Sequence, residues 1–143
     1  MRRFDIYLIG GMSKFSKDNF DVGNEWRLDI KNQLETISKH DVRVTNPNDY
    51  YNFLYEPMWD SEREIMEYDL NKVRESDLCI CNFNDVYSLG SMAELAIAYD
   101  RRIPVIGLAE HNEELHPWQK EMVTKLFTDR EELIHYIINY YLD

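Results

Sequence analysis

Short apolar runs alternate with helical patterns along most of the chain. Five runs predict strands: Phe4–Ile9, Val42–Thr45, Asp77–Phe83, Ile103–Leu108 and the shorter Lys125–Phe127. Apolar residues at three- and four-residue spacing predict helices over about Gly23–Ser38, Ser61–Glu75, Ser91–Asp100, a short stretch from Trp118, and Asp129–Tyr141. Strands that alternate with helices form a parallel sheet with helices on both faces. We therefore expect a small doubly wound α/β domain, Rossmann-like or flavodoxin-like, with four to five strands.

The length and charge of the chain limit its partners. Its 143 residues suggest a single domain that spans 1–143. The 27 acidic residues outnumber the 16 basic ones, giving a net charge of −11, so we expect no nucleic acid duplex and no membrane as a partner. A small anionic substrate can bind only in a local pocket whose donors outweigh the negative charge of the protein surface. Arg27 is one candidate cation, although its place on the first long helix predicts exposure.

Cysteine and histidine usage gives no sign of a metal or cofactor. Cys79 and Cys81 lie on one face of the third predicted strand and fit buried thiols in a reducing compartment. No secretory segment opens the chain and no apolar run approaches the ~18 residues of a membrane span, so we expect a cytoplasmic protein. His111 and His116 lack metal-ligand spacing, and no dinucleotide or Walker motif is present. We expect neither a metal nor a cofactor.

In doubly wound sheets, ligands bind beyond the carboxyl ends of the strands. Gly10 and Gly11 end the first predicted strand sharply, as a tight turn or a close backbone approach requires. Met12, Ser13 and Lys14 follow and can donate hydrogen bonds to a phosphate, or they form a solvated loop. We expect these residues to meet the loop that follows the third strand.

That second loop, Ser88 to Glu94, carries the most informative residues of the chain. A strand runs into a turn containing Gly90, and Ser91 then opens a predicted helix with Glu94 in its first turn. The free backbone N–H groups and hydroxyls of such a turn can bind an anion, and the helix dipole favours an ionised Glu94. A positioned carboxylate beside an anion site suits a nucleophile that attacks a phosphorylated sugar. Alternatively, Ser91 and Glu94 form a capping box with a purely structural role.

Two further residues could serve the same site. Asp69 follows Ile65 by four residues and falls on or beside the apolar stripe of its helix. Such a carboxylate is either functional or a structural residue paired with a backbone group, Arg63 or Lys72. Tyr7 lies on the first strand, where core packing is the alternative to a role in the site. The aromatic segment 48–60 could stack on a base, cover the sheet or contact another subunit.

Three segments in order resemble the nucleoside 2-deoxyribosyltransferase superfamily, which includes N-glycosidases of 2′-deoxynucleoside 5′-monophosphates. They are IYLIGGMS at 6–13, EIMEYDLNKVRESDLCICNF at 64–83, and SLGSMAELAIAYDRRIPVIGL at 88–108. The resemblance covers most of the chain. Each segment alone is a weak signal, and the three in order at their usual spacing make it specific. It implies cleavage of the N-glycosidic bond of a (2′-deoxy)nucleoside 5′-monophosphate or nucleoside. The reaction passes through a covalent ribosyl-enzyme, and the sugar goes to water or to another base.

The resemblance also implies a role for each matching residue. Glu94 is similar to the nucleophile, Asp69 to the carboxylate that contacts the sugar or helps to protonate the leaving base, and Tyr7 to a tyrosine that hydrogen-bonds the nucleophile. Six residues before the nucleophile, nucleoside-specific transferases carry an Asp that holds the 5′-hydroxyl, whereas monophosphate-cleaving members carry Ser. Ser88 occupies this position, so we expect a 5′-monophosphate substrate, bound with Gly90 and Ser91.

The resemblance further implies a homodimer or higher homo-oligomer, with the loop around His116, Pro117 and Trp118 reaching towards a partner's site. Two other functional classes stay open at this stage. One is a non-catalytic nucleotide-binding or sensing module of the same fold. The other is a structural protein whose aromatic segment forms an interface.

Overall fold

The structure is a computed structural model that describes residues 3–11, 20–49 and 61–142, without the side chains of residues 20–22. Its strands are β1 (Phe4–Gly10), β2 (Val42–Thr45), β3 (Leu78–Asn82), β4 (Val105–Leu108) and β5 (Lys125–Phe127). All five are parallel and form one sheet in the order β2-β1-β3-β4-β5. The chain therefore winds in one direction from β1 to β2 and in the other from β3 to β5. The α/β fold with a doubly wound parallel sheet is confirmed.

Helices cover both faces of this sheet. They are α1 (Phe20–Ile37), α2 (Glu62–Glu75), α3 (Leu89–Asp100), α4 (Pro117–Met122) and α5 (Arg130–Ile137), and a π-helical turn (Ile138–Leu142) follows α5. The buried side chains of α1 and α5 pack with one face of the sheet, whereas those of α2 and α3 pack with the other. No described helix is long and apolar enough to cross a membrane.

Alternation along β1 divides its side chains between the two cores. Leu8 packs on the α1 and α5 side, while Tyr7 and Ile9 pack on the α2 and α3 side. Cys79 and Cys81 share the latter side, where both are buried free thiols, as the sequence predicts. Burial raises the pKa of both thiols, which keeps them neutral. Tyr7 is thus a core residue whose hydroxyl remains available to a helix on this face.

Two helices begin at residues other than those predicted. In α3 the N-cap is Ser88, not Ser91, because the Ser88 hydroxyl accepts the N–H of Ser91. In α5, which is predicted to begin at about Asp129, this residue is instead the N-cap, because its carboxylate accepts the N–H of Glu132. Both sequences offer two capping residues close together, and hydrogen-bond geometry selects between them. For α3 the shift changes the position of the key carboxylate, Glu94.

Candidate active site

The ends of β1 and β3 meet at the point where the strand order reverses. The N–H of Gly11 donates to Oδ1 of Asn84 at 3.2 Å, which ties the two loops together. A Cβ on Gly11 would lie only 2.7 Å from Cβ of Asp85, so this close approach requires a glycine. The two loops that the sequence predicts to meet are therefore in contact. Met12, Ser13, Lys14 and the aromatic segment from 50 to 60 lie outside the described residues.

A cavity of about 320 Å³ opens beside these loops, between α2 and the beginning of α3. It is lined by residues from β1, α2 and α3: Gly10, Glu62, Ile65, Met66, Asp69, Leu70, Ser88, Gly90, Ser91, Ala93 and Glu94. Six of the residues predicted for a site are among them: Gly10, Asp69, Ser88, Gly90, Ser91 and Glu94. The α2 side carries apolar side chains together with the carboxylates of Glu62 and Asp69, whereas the α3 side carries the Glu94 carboxylate, serine hydroxyls and helix N–H groups.

The N-terminus of α3 forms the polar wall. Ser88 and Ser91 are buried, and their hydroxyls lie 2.9 Å apart. The Ser88 hydroxyl also accepts the N–H of Ser91, and the Ser88 carbonyl accepts the N–H of Met92. The N–H groups of the first two helical residues precede these bonds and have no partner within the helix. An anion could bind to this wall through hydroxyls, N–H groups and the positive end of the helix dipole.

Gly90, the second residue of α3, faces open space. A Cβ built on Gly90 would have no heavy atom within 4 Å, and its φ is not positive. Neither packing nor backbone conformation within the protein therefore requires glycine here. Gly90 is also one of the residues that line the cavity.

Glu94 is the sixth residue of α3 and lies in its second turn, so its predicted place in the first turn and the alternative of a capping box are both wrong. It does not form a capping box with Ser91, since Ser88 caps the helix. Its pKa is raised from 4.5 to about 8, chiefly because burial disfavours the charged carboxylate. The dipole at the helix N-terminus does not outweigh this penalty, because its effect is confined to the first turn.

Other groups around Glu94 also change its pKa. The Tyr7 hydroxyl donates a short hydrogen bond to Oε2 of Glu94, and this bond lowers the pKa. The nearby negative charge of Asp69 raises the pKa, whereas the positive charge of Arg27 lowers it. Tyr7 and Glu94 are thus brought together as the sequence predicts. A carboxyl that titrates near neutral pH inside a cavity is a candidate for catalysis.

Asp69 lies on the side of α2 that faces the cavity. The two cations considered as its structural partners make ion pairs with other residues: Arg63 with Glu67 at 3.1 Å, and Lys72 with Glu75 at 3.6 Å. Asp69 is half-buried and close enough to Glu94 to influence its titration. The charge of Asp69 therefore acts on the Glu94 carboxyl within one cavity.

Arg27 is buried rather than exposed, contrary to the expectation from its helix position. Only 1% of its surface is accessible to solvent. Its guanidinium donates to the carbonyls of Leu8 and Gly10 at the end of β1. The cavity lining within the described residues includes no lysine or arginine. Arg27 therefore lies behind the wall of the cavity rather than on it.

Sequence reasoning missed Glu62 as a cavity residue. It reads as an ordinary acidic residue in the first turn of α2, where the helix dipole favours negative charge. On the same helix, Ile65, Met66 and Leu70 line the cavity and lie on the apolar stripe that helical spacing predicts for α2. Met66 is exposed in this structure, and an exposed apolar residue on a predicted core stripe is the signal of a ligand-facing wall.

The hydrogen bond from Tyr7 to Glu94 is expected to affect how kcat/KM depends on pH. If ionised Glu94 is the reacting form, kcat/KM rises with pH and approaches a plateau above about 8. Tyr7→Phe removes a donor to the carboxylate, so the pKa of Glu94 increases and the rise moves to higher pH. A pH–rate profile of both proteins measures this shift. An unchanged midpoint in Tyr7→Phe would show that the bond does not control Glu94.

No family model and no curated protein matches this chain. Several solved structures match its fold, and three of them illustrate the likeness. A conserved protein from Enterococcus faecalis V583 gives a TM-score of 0.76 at 15% identity, over 95% of this chain and 98% of the other. A 2-deoxyribosyltransferase from Bacillus psychrosaccharolyticus gives 0.70 at 18% identity, over 92% and 91%. A CMP N-glycosidase from Clostridium botulinum gives 0.63 at 16% identity, over 95% and 98%. The chain therefore shares its fold with deoxyribosyltransferases and a nucleotide N-glycosidase.

Proposed function

We propose that this protein cleaves the N-glycosidic bond of a (2′-deoxy)nucleoside 5′-monophosphate, with Glu94 as the nucleophile. The observation that carries the proposal is the Glu94 carboxyl, hydrogen-bonded by Tyr7 in a cavity beside the N-terminus of α3. This arrangement sets a carboxylate and an anion site within one small cavity. Proteins of the same fold include a 2-deoxyribosyltransferase and a CMP N-glycosidase, which is consistent with this chemistry.

The proposed reaction has two displacements. In the first, a carboxylate oxygen of Glu94 bonds to the anomeric carbon as the bond to the base nitrogen breaks, and the departing base takes the electron pair and a proton. Asp69 contacts the sugar or supplies that proton. In the second, water or another base attacks the anomeric carbon and releases Glu94. Hydrolysis thus yields the free base and the sugar phosphate, and the acceptor gives up one proton.

We propose a phosphorylated substrate because the polar wall of the cavity has neutral and positively polarised donors near Ser88. An Asp at this position would repel a phosphate, whereas the hydroxyls of Ser88 and Ser91 and the free helix N–H groups can donate to one. Gly90 leaves room for the phosphate to approach the backbone. Gly10, Gly11, Met12, Ser13 and Lys14 are proposed to complete the binding site.

The first experiment is incubation with deoxynucleosides, ribonucleosides and their 5′-monophosphates, with chromatography to detect free base. Release of base from monophosphates supports the proposal, and transfer to an added second base identifies the acceptor. Binding without base release would instead favour a non-catalytic nucleotide-binding or sensing module. The raised pKa of Glu94 is the observation that favours this second candidate, since a neutral carboxyl is a poor nucleophile.

Ser88→Asp is expected to shift preference from monophosphates towards unphosphorylated nucleosides. The new carboxylate repels the 5′-phosphate and can accept a hydrogen bond from a 5′-hydroxyl. Asp is also a good N-cap, so α3 should still form. The ratio of kcat/KM for dAMP, dGMP, dCMP and dTMP to that of the matching nucleosides measures the shift. A wild-type protein that already prefers nucleosides would contradict the proposed phosphate specificity.

We further propose that the protein is a homodimer or a higher homo-oligomer. Tyr87 and Trp118 are 90% and 71% exposed and flank an apolar cavity that continues past His116 and Pro117. Exposed apolar patches of this kind mark contacts. Light scattering at micromolar concentration is expected to give a multiple of the 17.2 kDa chain mass. A mass of one chain would exclude an active site shared between subunits.

A further inference from the structure

Arg27 is a buried charge whose role the proposed chemistry leaves unassigned. Its Nη1 donates to the carbonyl of Leu8 at 2.9 Å and its Nη2 to the carbonyl of Gly10 at 2.8 Å. Its guanidinium also lies over the ring of Trp26, 4.7 Å from the centroid. A fully desolvated guanidinium is retained only where hydrogen bonds and packing compensate for lost hydration.

The place of Arg27 follows from the shortness of β2. Pairing between β1 and β2 ends at Tyr7 and Thr45, whereas pairing between β1 and β3 continues to Gly10. Carbonyls of alternate residues point to the same edge of a strand, so those of Leu8 and Gly10 face the side where β2 has ended. The Arg27 fork donates to both of them and thus replaces the missing strand.

Gly10 lies between Arg27 and the cavity of the candidate active site. A Cβ on Gly10 would lie 2.5 Å from Cζ2 of Trp26 and 3.1 Å from Nη2 of Arg27, so the Gly10 backbone presses directly on this pair. Gly10 also lines the cavity that holds Glu94. The positive charge of Arg27 is therefore separated from the cavity by the backbone of Gly10.

We propose that Arg27 is a positioning residue, whose guanidinium fixes the end of β1 beneath the cavity and supplies a positive charge behind the carboxylate that reacts. The inference rests on the proposed function of Glu94. It differs from a purely structural role because it predicts that the charge of Arg27, and not only its hydrogen bonds, affects Glu94.

Several ionisable groups lie around Glu94. The Tyr7 hydroxyl faces it from β1, Asp69 from α2, and the neutral thiols of Cys79 and Cys81 lie on β3. Glu62 lines the same cavity from the first turn of α2. Among these groups Arg27 is the cation, and its charge lowers the pKa of Glu94 against the effect of burial.

The test measures the titration of Glu94 in the ligand-free protein by carboxyl ¹³C NMR, with Glu94→Gln to assign the resonance. Arg27→Gln should raise the midpoint above about 8, whereas Arg27→Lys, which keeps the charge, should leave it close to wild type. The matched control is Arg130→Gln, which removes an equal charge from the ion pairs with Glu25, Asp29 and Glu110. This control should not move the midpoint.

Kinetics supply the second readout. A higher pKa reduces the ionised fraction of Glu94 at pH 7, so Arg27→Gln should lose kcat/KM there and recover it at higher pH. Arg27→Lys should restore most of the loss. Equal midpoints in wild type and a folded Arg27→Gln would overturn the proposal, as would a rate loss that is the same at every pH.

Circular dichroism shows whether the variants fold, and a measurement on the native arginine covers the case where they do not. The side-chain ¹⁵N resonances of Arg27 should shift as wild type passes pH 8, and should not shift in Glu94→Gln. The absence of such a shift in wild type would refute the coupling. If the two residues are coupled but wild type releases no base from any nucleotide, the proposed enzymatic function fails and the positioning of Glu94 by Arg27 stands.

Discussion

Replacing Glu94 by Gln is expected to abolish base release while the protein remains folded. Loss of a covalent nucleophile reduces the rate by several orders of magnitude, on the order of 10⁴–10⁶-fold. The amide keeps the shape of the side chain and can still accept a hydrogen bond from Tyr7. Glu67→Gln is the matched control, because Glu67 lies exposed on α2 outside the cavity. Near-normal turnover by Glu94→Gln would exclude the nucleophile assignment.

The stability of the same variant tests the environment of Glu94 independently of activity. A carboxyl whose pKa is raised from 4.5 to about 8 on folding ionises first in the unfolded chain, so its contribution to stability falls as pH rises between these values. Gln does not titrate. The melting temperature of Glu94→Gln, relative to wild type, should therefore increase from pH 5 to pH 8 and then level off. A constant difference would mean that Glu94 is not desolvated.

The smaller variant Glu94→Ala separates a nucleophile from a residue that only holds the substrate. Its truncated side chain leaves space in which a small anion such as azide or formate can attack the anomeric carbon in place of the carboxylate. Base release should return with added anion, and the azide product should carry the anomeric configuration opposite to that of the substrate. No recovery of base release at any anion concentration would argue against a covalent intermediate.

Asp69→Asn is expected to reduce kcat/KM for natural nucleotides by about 10²–10⁴-fold, the range for loss of a general acid. It also removes a negative charge near Glu94, so the pKa of Glu94 should fall and the rise of kcat/KM should move to lower pH. A pH–rate profile of wild type and variant measures both effects. Retained activity would assign Asp69 a structural role.

The leaving group decides between the two catalytic roles of Asp69. In a substrate whose base is replaced by a nitrophenol, the nitrophenolate leaves without protonation. A variant lacking only the acid should therefore cleave this substrate at nearly the wild-type rate. A variant that has lost a sugar contact should cleave both substrates equally poorly. The ratio of the two kcat/KM values therefore separates proton donation from sugar binding.

Local patterns in the sequence were sufficient to predict the sheet and most of the cavity. The apolar runs at Phe4–Ile9 and Asp77–Phe83 are buried strands, and the rule for strand ends brought Gly10 and Ser88–Glu94 to one edge of the sheet. Asp69 faces the cavity because helical spacing alone determines its side of α2. These predictions depend on periodicity, which a single sequence carries.

The predictions that failed depend on competition between equivalent groups or on contacts between distant residues. Ser88 and Ser91 are both good caps, and only the hydrogen-bond geometry selects Ser88, which moves Glu94 out of the first turn. Arg27 is buried because β2 ends opposite Tyr7 and leaves the carbonyls of Leu8 and Gly10 on β1 without a strand partner. The length of β2 is not encoded in the sequence next to Arg27. The pKa of Glu94 likewise depends on distant parts of the chain, because burial and Asp69 raise it whereas Tyr7 and Arg27 lower it.

The empty space above Gly90 implies that folding and activity constrain this position differently. Added methyl groups at Gly10, Gly11 and Gly107 would collide with neighbouring side chains, so those glycines serve the folded protein itself. Gly90 could be Ala at no steric cost, and Ala would favour the helix by about 1 kcal/mol. In a library scored for cellular abundance, substitutions at Gly90 would survive, while the same library scored for turnover would lose them. The divergence of the two profiles at this residue would reveal the footprint of the substrate before any ligand is identified.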